Sequence, residues 1–359
     1  MSTGIMAIEE FDKAITWQAD HADEAGAACT ARVIRTLPKV RETDTELGRR
    51  MREWEGLTLK DAMPLRVTGG LHHLALTGVD ERLIPVYAGE VTDQGVIDDL
   101  VLDMAKRHDA ALSPWLDGPP QTNEAGRSAS IMAGLLWLAK RVVPRFDLFE
   151  LGASAGVNTM MDRYFYDLGG VKAGLATSHM QIAPEWRGAG TPPAPPEDFS
   201  IQSVRGCDIT PIDLSDPAAA LRLKAYVWPD AAERMRRIDA AIQLASARAP
   251  DVVTMDGGAF VAKQLAQLQE HGTTRAMFHS IMWQYMPVDT QNAITAMLEE
   301  HGAKATHDRP LAWVSLETNP ATFRHELRVR YWDGADGDGT PHLLANAHPH
   351  GAWVDWHVG

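Results

Sequence analysis

From residue 1 to about 120 the apolar positions recur at helical spacing, within charged stretches such as "ETDTELGRRMREWEGL" and "VIDDLVLDMAKRHDAAL". From about 145 onward the texture changes to short apolar runs separated by helical patterns, the alternation of an α/β sheet. "FDLFEL" is apolar on both faces and predicts a buried parallel strand. Beyond the small-residue turn that ends it, Val157, Met160, Met161, Tyr164 and Leu168 predict a helix with one apolar stripe on the sheet. "SIQSVRGCD", "DVVTMD" and "RAMFHSIMWQYM" predict three further strands, the first two ending at Asp208 and Asp256. Each runs into a helical pattern: Met235, Ile238, Ile242 and Ala245; then "GGAFVAKQLAQLQ"; then "TQNAITAMLEEHG", where Gly302 supplies the stop. "LAWVSLE", "HELRVRYW" and "HLLANAHPHGAWVDWHV" follow with little helix between them and predict an antiparallel edge. The expectation is an α/β protein: a doubly wound sheet over 141–359 with a Pro-rich insertion at about 184–200, preceded by a mostly helical, substrate-covering domain over 1–140.

The turn after the first strand, "FELGASAG", places Glu150, Gly152, Ser154 and Gly156 where the chain of an open α/β sheet comes closest to a ligand. The dinucleotide fingerprint G-x-G-x-x-G fits this spacing badly. The turn resembles the acidic-x-Gly-x-Gly-x-Gly pattern of Class I S-adenosylmethionine-dependent methyltransferases, with Ser154 at the middle glycine. That resemblance implies a Rossmann-like sheet and S-adenosylmethionine as cofactor. It puts Glu150 near the cofactor's amino group, the turn under its methionine portion, Asp208 on the ribose hydroxyls and Asp256 near the adenine. A second reading stays open, because "GASAG" also has the G-x-S-x-G form of a hydrolase elbow with Ser154 as nucleophile, His348 or His350 as base and Asp256 or another strand-end acid to orient it. Glu150 then has no role.

Composition narrows the partners. Forty-eight acidic against thirty-four basic residues give a formal charge of -14, which repels a phosphate backbone, so nucleic acid is not expected. No apolar run is long enough to cross a bilayer and the first residues lack a secretory pattern, so no membrane association and a cytoplasmic location are expected. Cys29 and Cys207 form no CxxC and are expected as reduced, packed thiols. His72-His73 and His348/His350 lack nearby carboxylate or thiolate help, so no metal is expected. Oligomeric state is not legible.

Two polar blocks are candidates for the substrate side. In "QTNEAGRS", Gln121, Asn123 and Arg127 are candidate substrate contacts and Glu124 a candidate base, since Glu124 and Arg127 share the first helical turn; a capped helix start with an exposed ion pair explains the same residues. In "FHSIMWQY", His279 and Tyr285 are candidate catalytic residues, His279 for taking a proton from the nucleophile and Tyr285 with Trp283 for walling a cationic sulfonium; a structural histidine and core aromatics are the alternatives. In "AYVWPD", Asp230 is placed to cap the helix that follows.

Taken together, "QTNEAGRSA", "FELGASAGVNTMMDRYFY", "RGCDITPIDL", "LRLKAYVWPDAAERMRRIDAA", "FHSIMWQY" and "AHPHGAWVDW" resemble the bacterial family catalogued as domain of unknown function 2332 over nearly the whole chain. The resemblance implies a methyltransferase-like sheet and one site built from these blocks, and it names no substrate. The expected function is methyl transfer from S-adenosylmethionine to a small molecule, with a serine hydrolase or a non-catalytic cofactor-binding protein as alternatives.

Overall fold

The computed structural model describes residues 8–358, which divide into two compact units: residues up to Thr122 with Asp216–Asp239, and Asn123–Ser215 with the chain from Ala240 onward.

The first unit is helical. Its core gathers Leu37, Val40, Leu47, Met63, Val67, Leu71, Val101 and Met104 from helices that include Ala28–Arg35, Glu46–Arg52, Met63–Leu76 and Gln94–Arg107. The later segment of chain docks through the helix Pro217–Ala225. A Cβ on Gly69 would lie 2.9 Å from the Tyr226 ring, so the glycine is what lets that ring reach the Met63–Leu76 helix. Beside it His72 is buried, its Nδ1 3.1 Å from the Ala225 carbonyl oxygen, and burial pushes its pKa down to about 4.

Asp230 does not cap the helix after it. Its Oδ2 accepts from the backbone N–H groups of Cys29 (2.7 Å) and Thr30 (3.2 Å), and its Oδ1 from the Thr30 hydroxyl (2.6 Å). The helix Ala28–Arg35 starts at Ala27, which offers no side-chain cap, so a carboxylate from far along the sequence satisfies its first donors. Asp230→Ala is expected to cost about 2–3 kcal/mol, more than an ordinary cap. Urea unfolding at unchanged m-value checks this, with Asp216→Ala, which removes the local cap on Ala218, as the roughly 1 kcal/mol reference.

The second unit is built on a nine-stranded sheet. Its strands are β1 (Arg145–Leu151), β5 (Glu185–Arg187), β6 (Ser200–Asp208), β7 (Val252–Thr254), β8 (Thr274–Ser280), β9 (Leu311–Thr318), β10 (His325–Trp332), β11 (His342–Ala347) and β12 (Trp353–Trp356), in the order β5-β12-β11-β10-β9-β8-β1-β6-β7. β7, β6, β1, β8 and β9 are mutually parallel, whereas β9 to β12 form an antiparallel meander. The chain leaves β1 toward β6 and β7 and returns to β8 on the other side, so strand order reverses between β1 and β8. Helices cover both faces. Ser128–Leu138, buried at every residue, lies on the face of Val314 and Val329, which Gly134 allows it to approach closely. Gly257–Ala266 and Val288–Gly302 pack on the opposite face against Phe149, Met277 and Trp313.

Three sequence expectations change. No α-helix follows the glycine turn: a 3-10 helix at Asn158–Arg163 leads into a separate three-stranded sheet of β2 (Phe165–Leu168), β3 (Val171–Gly174) and β4 (Gln181–Ile182). The fourth predicted strand stops at Ser280, because Ile281 takes a left-handed conformation (φ 52°) that breaks the ladder, and Trp283–Tyr285 form a 3-10 turn. The antiparallel half is present, but its outer strand is β5, from the Pro-rich region, pairing parallel to β12. Among the described residues no helix is long and apolar enough to cross a membrane.

Candidate functional site

Ligands of open parallel sheets sit beyond the carboxyl ends of the strands where the order reverses, here the ends of β1 and β8. Glu150, the penultimate residue of β1, is 1% exposed. Desolvation holds its pKa well above the usual carboxylate range; Asn158 and the Arg127 guanidinium pull downward, and Asp208 pushes up again. Among the described residues Glu150 Oε2 and the Ser154 hydroxyl are buried without a hydrogen-bond partner, and the Asn158 amide, close enough to Glu150 to lower its pKa, makes no hydrogen bond of good geometry. Such a cluster of unmet polar atoms at a switch point is where a polar ligand or ordered water repays desolvation.

The glycine turn is pinned on three sides. Asp208 Oδ2 accepts from Ser154 N–H (2.9 Å) while its Oδ1 accepts from Thr210 N–H (2.9 Å). Asn123 Oδ1 accepts from Val157 N–H (2.7 Å). The Ile212 N–H donates to the Ser154 carbonyl oxygen (3.2 Å). Gly152 and Gly156 both have positive φ (64° and 70°), and so does Ser154 (52°). Each glycine admits a protein group. A Cβ on Gly152 would lie 2.9 Å from Met282 Cγ, and one on Gly156 2.6 Å from Pro250 Cβ. Asp256 lies two residues beyond the end of β7, exposed, and caps the next helix through Ala259 N–H (3.1 Å). Cys207 beside the turn is buried, which pushes its thiol pKa up to about 12.

The blocks "NEAGR" and "AHPHG" meet. Arg127 Nε–H donates to the Pro349 carbonyl oxygen (2.8 Å) and its Nη1 to that of Ser280 (3.3 Å), tying the end of β8 to the β11–β12 loop. Glu124 Oε1 stands 3.6 Å from His350 Nδ1. Gly351 (φ 72°) lies so close to Gly126 that an added Cβ would be 2.2 Å from its carbonyl carbon. Glu124 and Arg127 are both buried, so they are not an exposed ion pair at a helix start.

His279 faces the opposite side of the sheet. The Trp313 indole, which can only donate, gives its Nε1–H to His279 Nε2 (2.9 Å), so Nδ1 carries the proton that goes to Glu317 Oε1 (2.7 Å). Trp283 stacks on the imidazole at 4.8 Å. Both ring nitrogens are thus engaged within the protein. Tyr285 is 78% exposed. Gln121 belongs to the first unit, whereas all the other sequence-predicted residues fall in the second. Within it, Asn123, Glu124, Arg127, Glu150, Gly152, Ser154 and Asp208 gather around the end of β1. Sequence reasoning missed Asn158, Met282 and Glu317. Asn158, a polar residue inside an apolar stripe, was the one with a visible signal.

Fold and site define a mixed α/β protein with a large, mostly parallel sheet and a polar cluster at its switch point. The profile of a family described as uncharacterized protein conserved in bacteria, the domain of unknown function 2332, matches residues 12–356. The chain belongs to that family. No curated protein and no solved structure matches it.

Proposed function

We propose that this protein is an S-adenosylmethionine-dependent methyltransferase acting on a small molecule. The observation that carries the reading is the pairing of a strand-order reversal at β1/β8 with a buried acid and a tight glycine turn closing β1. The nucleoside side fits: Asp208 keeps a second lone pair on each oxygen for ribose hydroxyls, and Asp256 stands exposed beyond β7 for the base. The methionine side fits once Met282 swings off Gly152, where its side chain now lies. The cofactor, when bound, supplies an electrophilic methyl group. Arg127, fixed by two carbonyls, is placed to orient an anionic substrate, and the Glu124–His350 pair to take the proton of the attacking group. His279, with both nitrogens engaged, positions the β8–β9 ends instead.

A serine hydrolase is the second reading, favoured by the left-handed backbone of Ser154 and its unpartnered hydroxyl. No histidine among the described residues hydrogen-bonds that hydroxyl.

Calorimetric titration with S-adenosylmethionine, S-adenosylhomocysteine and NAD tests the assignment. The first two are expected to bind and NAD not. Met282→Ala is expected to tighten both by about tenfold by removing the cover on Gly152, an effect of roughly 1.4 kcal/mol. Absence of binding to wild type and Met282→Ala alike overturns the reading. Esterase activity lost in Ser154→Ala installs the hydrolase, and cofactor binding without turnover on any extract-derived substrate leaves a non-catalytic binding protein.

A further inference from the structure

A second concavity lies on the same edge of the sheet, over the antiparallel half. It is an open hollow of about 370 Å³, within the usual range for small-ligand pockets, and is lined by Arg187, Phe323, Arg324, His325, Asn346, Ala347, Trp353 and Asp355. Strand register explains why polar groups collect there. Glu326 of β10 pairs with Asn346 of β11, Asn346 with Asp355 of β12, and Asp355 with Arg187 of β5, so the four stand in one lateral row on one face. Glu326 is taken by Arg328 Nε–H (2.8 Å), and Arg187 by Glu185 through two hydrogen bonds of 2.9 Å. Asn346 and Asp355 remain in the middle of the row.

Asn346 is 7% exposed, and its amide nitrogen lies 3.1 Å from His357 Nε2 while its Oδ1 is buried with no hydrogen-bond partner. The acceptor of the row that is open to the cavity is the Asp355 carboxylate, its side chain 42% exposed, and its best partner is a cationic donor. Among the described residues the Asp355 carboxylate meets the His357 ring, at 3.6 Å, and the field of Arg187. Arg324, also on the cavity wall, is exposed and pairs with no carboxylate among the described residues. It is delivered by a built loop: Asn319 Oδ1 accepts from Ala321 N–H (2.9 Å), Asn319 N–H donates to the Arg324 carbonyl oxygen (2.8 Å), and Phe323 N–H to that of Asn319 (2.7 Å). This loop holds Phe323 in a left-handed conformation (φ 56°), a strain of order 1–2 kcal/mol that places its ring in the cavity wall. Trp353 adds a second aromatic ring to the cavity wall, with the Arg187 guanidinium 4.6 Å from its ring centre. His325 sits between this cavity and the switch point. Its Nδ1 is 3.0 Å from the Thr318 hydroxyl, and desolvation, then Arg127, lowers its pKa.

The geometry points to a binding site for a small zwitterion with an apolar or aromatic body, that is, an amino acid or an amino-acid-like molecule. Its carboxylate meets Arg324, its ammonium meets the Asp355 carboxylate, and its side chain packs on the cavity wall that Phe323 and Trp353 help to form. The site does not depend on the cofactor proposed above.

Saturation-transfer NMR and calorimetry on the full chain, with L-phenylalanine, 3-phenylpropionate and phenethylamine as probes, test it. L-Phenylalanine is expected to bind at least about tenfold tighter than either half-ligand. Arg324→Ala is expected to reduce it to the affinity of phenethylamine while leaving phenethylamine unchanged. Asp355→Asn, which preserves shape, is expected to reduce it to that of 3-phenylpropionate. The assignment is overturned if L-phenylalanine does not bind at about 10 mM, if 3-phenylpropionate binds as tightly, or if neither substitution changes its affinity. S-Adenosylmethionine titrated in parallel reports on the cofactor reading separately.

Discussion

Gly351→Ala is expected to destabilise the sheet unit by about 3–5 kcal/mol, lowering its Tm by on the order of 10 °C. Two costs add. Alanine at a φ of 72° is strained by roughly 1–2 kcal/mol. Its Cβ would also press to 2.2–2.5 Å on the carbonyl carbon, oxygen and Cα of Gly126, and backbone cannot rotate away as a side chain can. Gly272→Ala is the matched control, because Gly272 has nearly the same φ (73°) and nothing within 4 Å of an added Cβ. Calorimetric melts of the two variants therefore separate strain from contact. Equal losses would mean that the β11–β12 loop yields and that its seat on the "NEAGR" segment is soft. The expected excess in Gly351→Ala would show instead that the Glu124–His350 and Arg127–Pro349 contacts rest on a rigid backbone joint.

Glu150→Gln is expected to raise stability at alkaline pH and to change little in acid. The sign follows from the raised pKa of the buried carboxyl. Below the unfolded value of about 4.3 both states carry the proton and burial costs no ionisation. As pH rises above it, the unfolded chain ionises while the folded one does not, so stability falls by up to about 1.36 kcal/mol per pH unit until the folded group also ionises. Glutamine keeps the shape and lacks that slope. The measurement is Tm against pH for both proteins: curves that coincide near pH 4 and diverge toward about pH 8 support the buried neutral acid, and parallel curves refute it.

The strands were legible where one pattern admits one structure. "SIQSVRGCD" forms β6 at Ser200–Asp208, and the meander was visible because no helical spacing separates its runs. The 3-10 turn and strand that replace the expected helix after the glycine turn were not, because Val157, Met160, Met161 and Tyr164 fit a 3.6-residue period while Tyr164, Tyr166 and Leu168, all buried, fit a period of two. The deciding signal was Gly169-Gly170, whose positive φ values (68° and 96°) make the two-residue turn joining β2 to β3. β5 is three residues long beside a Pro-rich stretch, too short for periodicity to mark. At the site, the polar blocks could be picked out by composition, and what escaped was the use to which each group is put. Nothing in "FHSIMWQY" says that the indole of Trp313 closes off His279, since that partner is 34 residues away and arrives only through β8–β9 pairing. Likewise Asp230 reaches 200 residues back to Thr30, a distance no local capping rule spans.

The composite make-up of the helical unit also sets a timetable for synthesis. Its first part ends at Thr122, but the Pro217–Ala225 helix that packs on Met63–Leu76, and the Asp230 carboxylate that caps Ala28–Arg35, belong to Asp216–Asp239. At about 5–20 residues per second a ribosome needs on the order of 5–19 s to make the intervening chain, and during that wait the first helices stand with one face and one helix start uncovered. Most of the sheet unit's first strands emerge in the same interval. The nascent chain must therefore hold two unfinished cores at once until residue 239 has cleared the tunnel.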